Sequence, residues 1–297
     1  MHYQAVRHPG ARFASERTLA LASASLNRAY TSLVPVYAFR RAPRLGDTVA
    51  WVWSWRGKPA HDRERILPDG NTQLLVNLAS ERLRVVEADG RPGWRPGAVM
   101  TGPYDRPFVI DTRDQRDLVG VAFVAGGGAP FFRLPISALR DDHVPLAELW
   151  GAPAADALRE RLLAAPDDAA RLDVLEETLL ATALRTPEVT PRIAAALAAL
   201  RRRPEVESAA ERAGLSRRAF TRVFHEEVGL PPKRWARIQR FQAALAGRHG
   251  ARDLTELAHT CGFYDHAHFA RELRAFAGEA PSVLFARTRR ANHVILG

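Results

Sequence analysis

The sequence predicts an α+β protein: a β-rich N-terminal domain, barrel or sandwich-like, followed by an all-α domain of two helix-turn-helix units joined by a linker helix. Three observations predict it. Between Thr48 and Val124 short β-branched and aromatic runs (TVAWVWSW, TQLLVNLAS, RLRVVEA, FVIDT, LVGVAFVA) are separated by DG, PG, GP and GGG, as strands are by turns. After Phe131 apolar residues recur every three or four positions, the period of helices that bury one face. Finally, one short two-helix pattern occurs twice in the last third of the chain.

At 297 residues the chain is long enough for two separate cores. A hydrophobic share of 46% and a charged share of 26% are those of a soluble globular protein. No stretch approaches the roughly 18 apolar residues of a membrane span, so no membrane partner is expected. The single cysteine excludes an internal disulfide framework and suits a reducing compartment, which makes the cytoplasm the expected location.

The net charge of +10 is unevenly spread. Residues 1–44 hold seven Arg against one Glu, residues 45–187 hold 17 basic against 21 acidic residues, and residues 188–297 hold 19 against 11. The basic last third expects a polyanion, nucleic acid first, with a solvated basic surface as the alternative. Residues 1–44 read as a basic extension, partly flexible, the first thirty of them alternatively as the product of a start codon placed too early. Their apolar run Leu19 to Ala24 is too short for a secretory signal, being broken by Ser23.

Residues 45–187 form the β-rich sensor or oligomerisation domain with its C-terminal helices. In WVWSW, Trp51, Trp53 and Trp55 share one face of a strand, because side chains alternate with period two. They are candidates for an aromatic wall against a small-molecule ligand, with packing on a buried strand face as the favoured reading, because large aromatics mostly do packing. Asp69-Gly70 reads as a turn. The segments VPLAELW, ADALRERLLAA and RLDVLEETLLATAL are helical, and Pro187 and Pro191 place the linker at 186–191, so that the next domain spans 188–297.

The repeat consists of AAERAGLSRRAFTRVFHEEVGLPPKRW and LAHTCGFYDHAHFARELRAFAGEAPSVLF. Gly214, Phe220, Arg222, Gly229, Pro232 and Trp235 of the first copy correspond to Gly262, Phe269, Arg271, Gly278, Pro281 and Leu284 of the second. In each copy a first helix with small residues ends at a glycine, a tight turn follows, and Ser216 or Asp265 caps a second helix. Asp253 with Glu256 marks the start of the first helix in copy two. Phe220, Val223 and Phe224, or Phe269, Leu273 and Phe276, take the inward face. That leaves Arg217, Arg218, Thr221 and Arg222, or His266, His268, Ala270 and Arg271, for the other faces.

A helix entering the major groove N-terminus first presents its early residues to base edges, which suits these polar and basic side chains. Ser216 and Asp265 stand at those N-termini. Arg201 to Arg203, Lys233, Arg234 and Arg237 are candidates for phosphate contacts. Arg222 and Arg271, at equivalent repeat positions, have a second reading as braces to the domain's own carboxylates.

With these residues in view, 192–290 resemble the DNA-binding domain of the AraC family of transcription regulators. Its second-unit signature matches GFYDHAHFARELRAFAGEAPSVL, with departures at Ala267, where the family often has Ser, and Leu273, where Phe is usual. The resemblance implies two helix-turn-helix units joined by a helix over Lys233 to Arg248, reading two grooves about one turn, near 34 Å, apart. ERILPDGNTQLLVNLAS, with WVWSW and VAFVAGGGAPFFRLP, resembles an uncharacterised N-terminal domain of some such regulators. By analogy that domain senses a small molecule or mediates dimerisation.

Rival chemistries fare worse. A metal site would need His259, Cys261, His266 and His268 to converge, but His266 and His268, two apart on a helix, point about 200° apart. No G-x-S-x-G, GxxxxGK[ST], HExxH or C-x-x-C motif is present, and AGGGAP at 125–130 opens no recognisable helix, so neither an enzyme nor a cofactor is expected. The expectation is therefore a sequence-specific DNA-binding transcription regulator whose partners are double-stranded DNA, a small-molecule effector and a second copy in a homodimer. The alternative is a helical protein-interaction module or a ligand-binding protein without specific DNA binding.

Overall fold

A computed structural model describes residues 36–296 except Ala60, Ala88, Thr288 and Ala291; the expectation for the basic extension falls largely outside them. Alternating apolar residues build two antiparallel six-stranded sheets. The first has the order β1-β2-β9-β4-β7-β10, from β1 (Val36–Arg40), β2 (Val49–Arg56), β9 (Asp117–Phe123), β4 (Gln73–Asn77), β7 (Ala98–Thr101) and β10 (His143–Pro145). The second has the order β11-β12-β3-β8-β5-β6, from β11 (Arg289–Arg290), β12 (His293–Leu296), β3 (Arg63–Ile66), β8 (Phe108–Asp111), β5 (Arg82–Val86) and β6 (Pro92–Pro96).

Each face of the first sheet has its own cover. Val52, Leu74, Val76, Met100, Val119 and Val121 pack under the helices α1 (Leu146–Trp150), α2 (Ala152–Ala164) and α3 (Asp168–Thr182), against Leu158, Leu162, Leu172 and Leu175. The intervening residues face the second sheet. Trp53 pairs with Gly120, Gly120 with Leu75, and Leu75 with Val99, so these four form one row across that face. A β-carbon on Gly120 would lie 2.6 Å from the Trp53 ring, which is why a glycine stands mid-strand beneath the indole.

Seven helices follow: α4 (Pro191–Arg202), α5 (Val206–Arg212), α6 (Arg217–Val228), α7 (Pro232–Gly247), α8 (Leu254–Thr260), α9 (His266–Ala277) and α10 (Pro281–Ala286). Their core centres on fully buried Phe220, Phe224, Trp235, Phe241, Phe269 and Phe276. Leu67, Ala125 and Val294 belong to that same cluster, so the β-rich part contributes to the helical core.

The docking is specific. Arg234 donates to the carboxylate of Asp105 at 3.0 Å and to its carbonyl at 2.6 Å. Gln239 and Gln242 donate to the carbonyls of Asp69 and Pro68 at 3.0 and 2.6 Å, and Arg65 pairs with Glu279 at 3.0 Å. Asp69-Gly70 is the expected turn: the Asp69 carboxylate accepts from the Asn71 N–H at 2.9 Å. The turn seats Trp235, whose ring would be 3.0 Å from a β-carbon on Gly70.

Two boundaries differ from the sequence reading. β1 lies upstream of residue 45, because Tyr37 and Phe39 pair with the Trp55 and Trp53 strand positions and extend the first sheet. Helices also do not run to the C-terminus. After α10 the chain returns as β12, pairing Ile66↔His293 through Arg63↔Leu296, with Val294 fully buried. The run VIL following a turn at Asn292 supplies the strand propensity, and its register turns Val294 to the helical core and His293 to Glu64.

Candidate nucleic-acid interface

The duplication folds as two like units with different caps. In the first, Ala209 and Ala210 let α5 approach its neighbours, and Leu215 N–H returns to the Ala210 carbonyl at 3.0 Å around Gly214. Ser216 then caps α6, its hydroxyl accepting from Ala219 N–H at 3.4 Å. In the second, the Phe263 N–H returns to Ala258 at 3.0 Å, and the Asp265 carboxylate caps α9 by accepting from His268 N–H at 2.6 Å. Asp253 caps α8 through Thr255 and Glu256 N–H, while the Glu256 carboxylate reaches one residue further back, to Arg252 N–H at 2.7 Å.

Arg217, Arg218, Thr221 and Arg222 of α6 and His266 and Arg271 of α9 are exposed. Arg217 pairs with Glu207 of α5 at 2.7 Å, and Arg222 pairs with Glu226 one turn along its own helix at 3.3 Å. Such exposed pairs are worth little and exchange readily for another anion. Arg222 therefore braces no second helix. His268 is half-buried, edge-on to Phe263 with ring centroids 5.6 Å apart, and its Nδ1 lies 3.4 Å from Tyr264 N–H. Cys261, at the end of α8, is half-buried, and burial pushes its thiol up.

Between the units lies a cleft of about 420 Å³ lined by Pro204, Lys233, Arg237, Arg240, His268 and Glu272. Arg237 donates twice to the Glu272 carboxylate, at 2.9 and 2.5 Å, and Arg240 stands 3.9 Å from it. Burial raises the Glu272 pKa, but the Arg237 hydrogen bond and the charges of Arg237 and Arg240 outweigh it and hold the group below the usual carboxylate range. Lys233 is exposed at the rim. Arg234 points elsewhere, into the domain junction with Asp105, so of the two candidate phosphate contacts at this end of α7 only Lys233 borders the cleft.

Sequence reading missed Arg240, Glu272 and the 92% exposed Tyr264. The signal for Arg240 was its spacing of three from Arg237, one helix face. Tyr264, an aromatic in a turn just before a recognition helix, had no burial pattern to explain it.

In the β-rich part, Trp51 and Trp53 are half-buried on the face turned to the second sheet, whereas Trp55 is buried with Leu83, Val99 and Leu118. Near the far edge of that face the Tyr104 hydroxyl lies 2.6 Å from Nδ1 of His143, and Phe108 of the second sheet stands edge-on to the imidazole at 5.1 Å. Burial, helped by the charge of Arg95, lowers the His143 pKa to about 4, so the ring is neutral and shares one hydrogen bond with the Tyr104 hydroxyl. Among the described residues no group of three or more His, Cys, Asp or Glu is placed to hold a metal ion. No described helix is long and apolar enough to cross a membrane.

Residues 209–287 match the model of a helix-turn-helix domain, the same stretch that carries the duplicated units. The chain carries an AraC-type helix-turn-helix domain. Ahead of this AraC-type domain, residues 38–145 match a domain of unknown function, DUF6597, which coincides with the two sheets up to β10. No curated protein matches the chain in sequence. Among solved structures, ToxT from Vibrio cholerae is similar at 9% identity, covering 83% of this chain and 97% of that chain with a TM-score of 0.42. An unsaturated fatty acid bound wild-type ToxT is similar at 11% identity, 83% and 94% coverage and a TM-score of 0.39.

Proposed function

We propose that this chain is a sequence-specific, double-stranded-DNA-binding transcription regulator of the cytoplasm. One observation carries the reading: both second helices of the duplicated units, α6 and α9, begin at a side-chain cap and leave basic and polar residues of their first two turns in solvent. Arg218 and Thr221 of α6 and His266, His268 and Arg271 of α9 read bases or phosphates; Arg217 and Arg222 exchange their exposed carboxylate partners for phosphate. Ser216 and Asp265 set the helix starts, and the backbone N–H groups around them face the same phosphates. A protein-interaction module would have no use for this concentration of guanidinium and imidazole at two helix starts.

The β-rich domain is the sensor in this reading. Trp51 and Trp53, half-exposed between sheets that close around buried Trp55, offer a wall to a small molecule, and such a ligand acts only by favouring one arrangement of the two domains or of a homodimer. The test is selection of bound sequences from random duplexes by the full-length protein, followed by titration of binding against salt. Enrichment of one motif, with affinity falling steeply as salt rises, is the expected result. Recovery of no motif together with salt-independent binding sinks the reading.

A further inference from the structure

The basic side of α7 has a feature that recognition by two helices alone does not require. Lys233, Arg237 and Arg240 succeed one another at spacings of four and three, so they line one face, and that face opens into the cleft between the units, where it meets His268 and Glu272 on the flank of α9. Arg237 lies over the Phe276 ring at 5.6 Å and Arg240 over the Phe263 ring at 5.3 Å, which fixes both guanidinium groups in place. Opposite them stands Glu272, 7% exposed. By the repeat, Glu272 occupies the position of Val223 in the first unit, where an apolar side chain packs against the core. The second unit has put a carboxylate there, and it meets Arg237 and Arg240 of α7.

Three cations and one anion leave the cleft with a surplus of positive charge, and an arginine that gives two of its five N–H donors to Glu272 keeps others for a second acceptor. From this geometry we infer that the cleft is a phosphate seat for the DNA backbone strand that crosses between the two recognition helices, and that Glu272 is its resident counter-anion. In the free protein the carboxylate holds Arg237 and Arg240 in position against their mutual repulsion. In the complex a phosphate completes the neutralisation, with Lys233 at the rim. Because the phosphodiester is the same at every sequence, the seat adds affinity without adding discrimination. Glu272 limits that sequence-independent affinity. This deepens, and rests on, the DNA-binding reading above.

The experiment uses the full chain and a labelled random-sequence duplex, titrated between 50 and 200 mM KCl. Loss of one phosphate contact changes the salt slope by about 0.9, so over this fourfold rise wild type sheds about 3.5-fold more affinity than Lys233→Ala. Glu272→Gln, which keeps the shape and removes the charge, binds random duplex more tightly than wild type at every salt concentration. If both variants keep wild-type slope and affinity while Arg218→Ala still weakens binding, the seat is refuted and the DNA-binding reading stands. If wild type binds no duplex at all, both fall. Should Glu272→Gln fail to fold by circular dichroism, the exposed Lys233→Ala decides the matter alone.

Discussion

Gly229 joins a local requirement to a distant one, and replacing it separates the two. It ends α6 in the left-handed conformation, φ +86°, with its N–H on the His225 carbonyl at 2.9 Å. Gly214, at the end of the preceding helix, has φ +66° and nothing within 4 Å of where a β-carbon would stand. Both Gly→Ala variants therefore carry the left-handed penalty, about 1–2 kcal/mol. At Gly229 the new methyl also meets Pro103 Cγ at 2.5 Å and Ile136 Cγ2 at 2.8 Å, across the junction with the β-rich domain. Overpacking of that kind adds about 1–3 kcal/mol, so Gly229→Ala loses roughly 2–5 kcal/mol where Gly214→Ala loses 1–2. Pro103→Ala removes the nearest clashing atom, and in the double variant it recovers part of the excess, a coupling of about 1 kcal/mol or more. The assay is urea unfolding of the full chain, followed by tryptophan fluorescence and circular dichroism, with coincident transitions and a constant denaturant slope required. Equal losses for the two alanine variants, or strict additivity with Pro103→Ala, would refute a tight junction at this glycine.

Arg218→Ala and His268→Ala should each cost about 1–3 kcal/mol on the selected DNA sequence and less on random duplex; equal losses on both would reassign them to phosphates. His143 ties stability to pH, because its folded pKa of about 4 lies below the unfolded value near 6.5. The unfolded chain takes the proton first, so the contribution is complete above pH 6.5 and falls away, by about 3 kcal/mol, as pH drops toward 4. His143→Gln should flatten that stretch of the stability profile, and an unchanged profile would contradict a buried neutral imidazole. Truncation after Arg290 removes buried Val294, worth about 1.5–3 kcal/mol, together with the ladder on β3. It also takes from Glu64 the His293 ring 2.6 Å away, leaving His61 as its partner. Faster hydrogen exchange in Arg63–Ile66 is the readout, and unchanged protection there would mean that β12 does not hold the edge of the sheet.

What the sequence made legible was local. Helix starts at Ser216, Asp253 and Asp265 and helix ends at Gly214, Gly229, Gly262 and Gly278 follow from side-chain caps and left-handed glycines within a few residues, and all lie where the repeat placed them. The alternation in WVWSW likewise gave the shared face of the three tryptophans. Alternation does not say what a face meets, and only the second sheet separates buried Trp55 from half-exposed Trp51 and Trp53. β12 was illegible for a related reason: four residues carry strand propensity but not a partner, and their partner β3 is more than 200 residues away.

Charge counting shows where long-range docking changes a functional argument. The excess of basic residues in 188–297 pointed to a polyanion, yet much of that charge is answered inside the molecule. Arg234 is held by Asp105, Arg237 by Glu272 and Arg287 by Glu279, and Arg289 donates to the Leu245 carbonyl. The formal surplus therefore overstates the field available to DNA. Its distribution restores the argument, because the arginines answered inside the molecule lie on α7 or after α10, whereas Arg217, Arg218 and Arg222 of α6 and Arg271 of α9 stay in solvent with at most an exposed carboxylate beside them. Arg234 fastens the AraC-type domain to the β-rich domain through Asp105, Arg237, Arg287 and Arg289 brace the AraC-type domain internally, and the arginines of α6 and α9 face outward. A ligand that moved the β-rich domain would then act through Asp105, Gly70 and β12, altering how the two recognition helices are held without touching a residue that meets DNA.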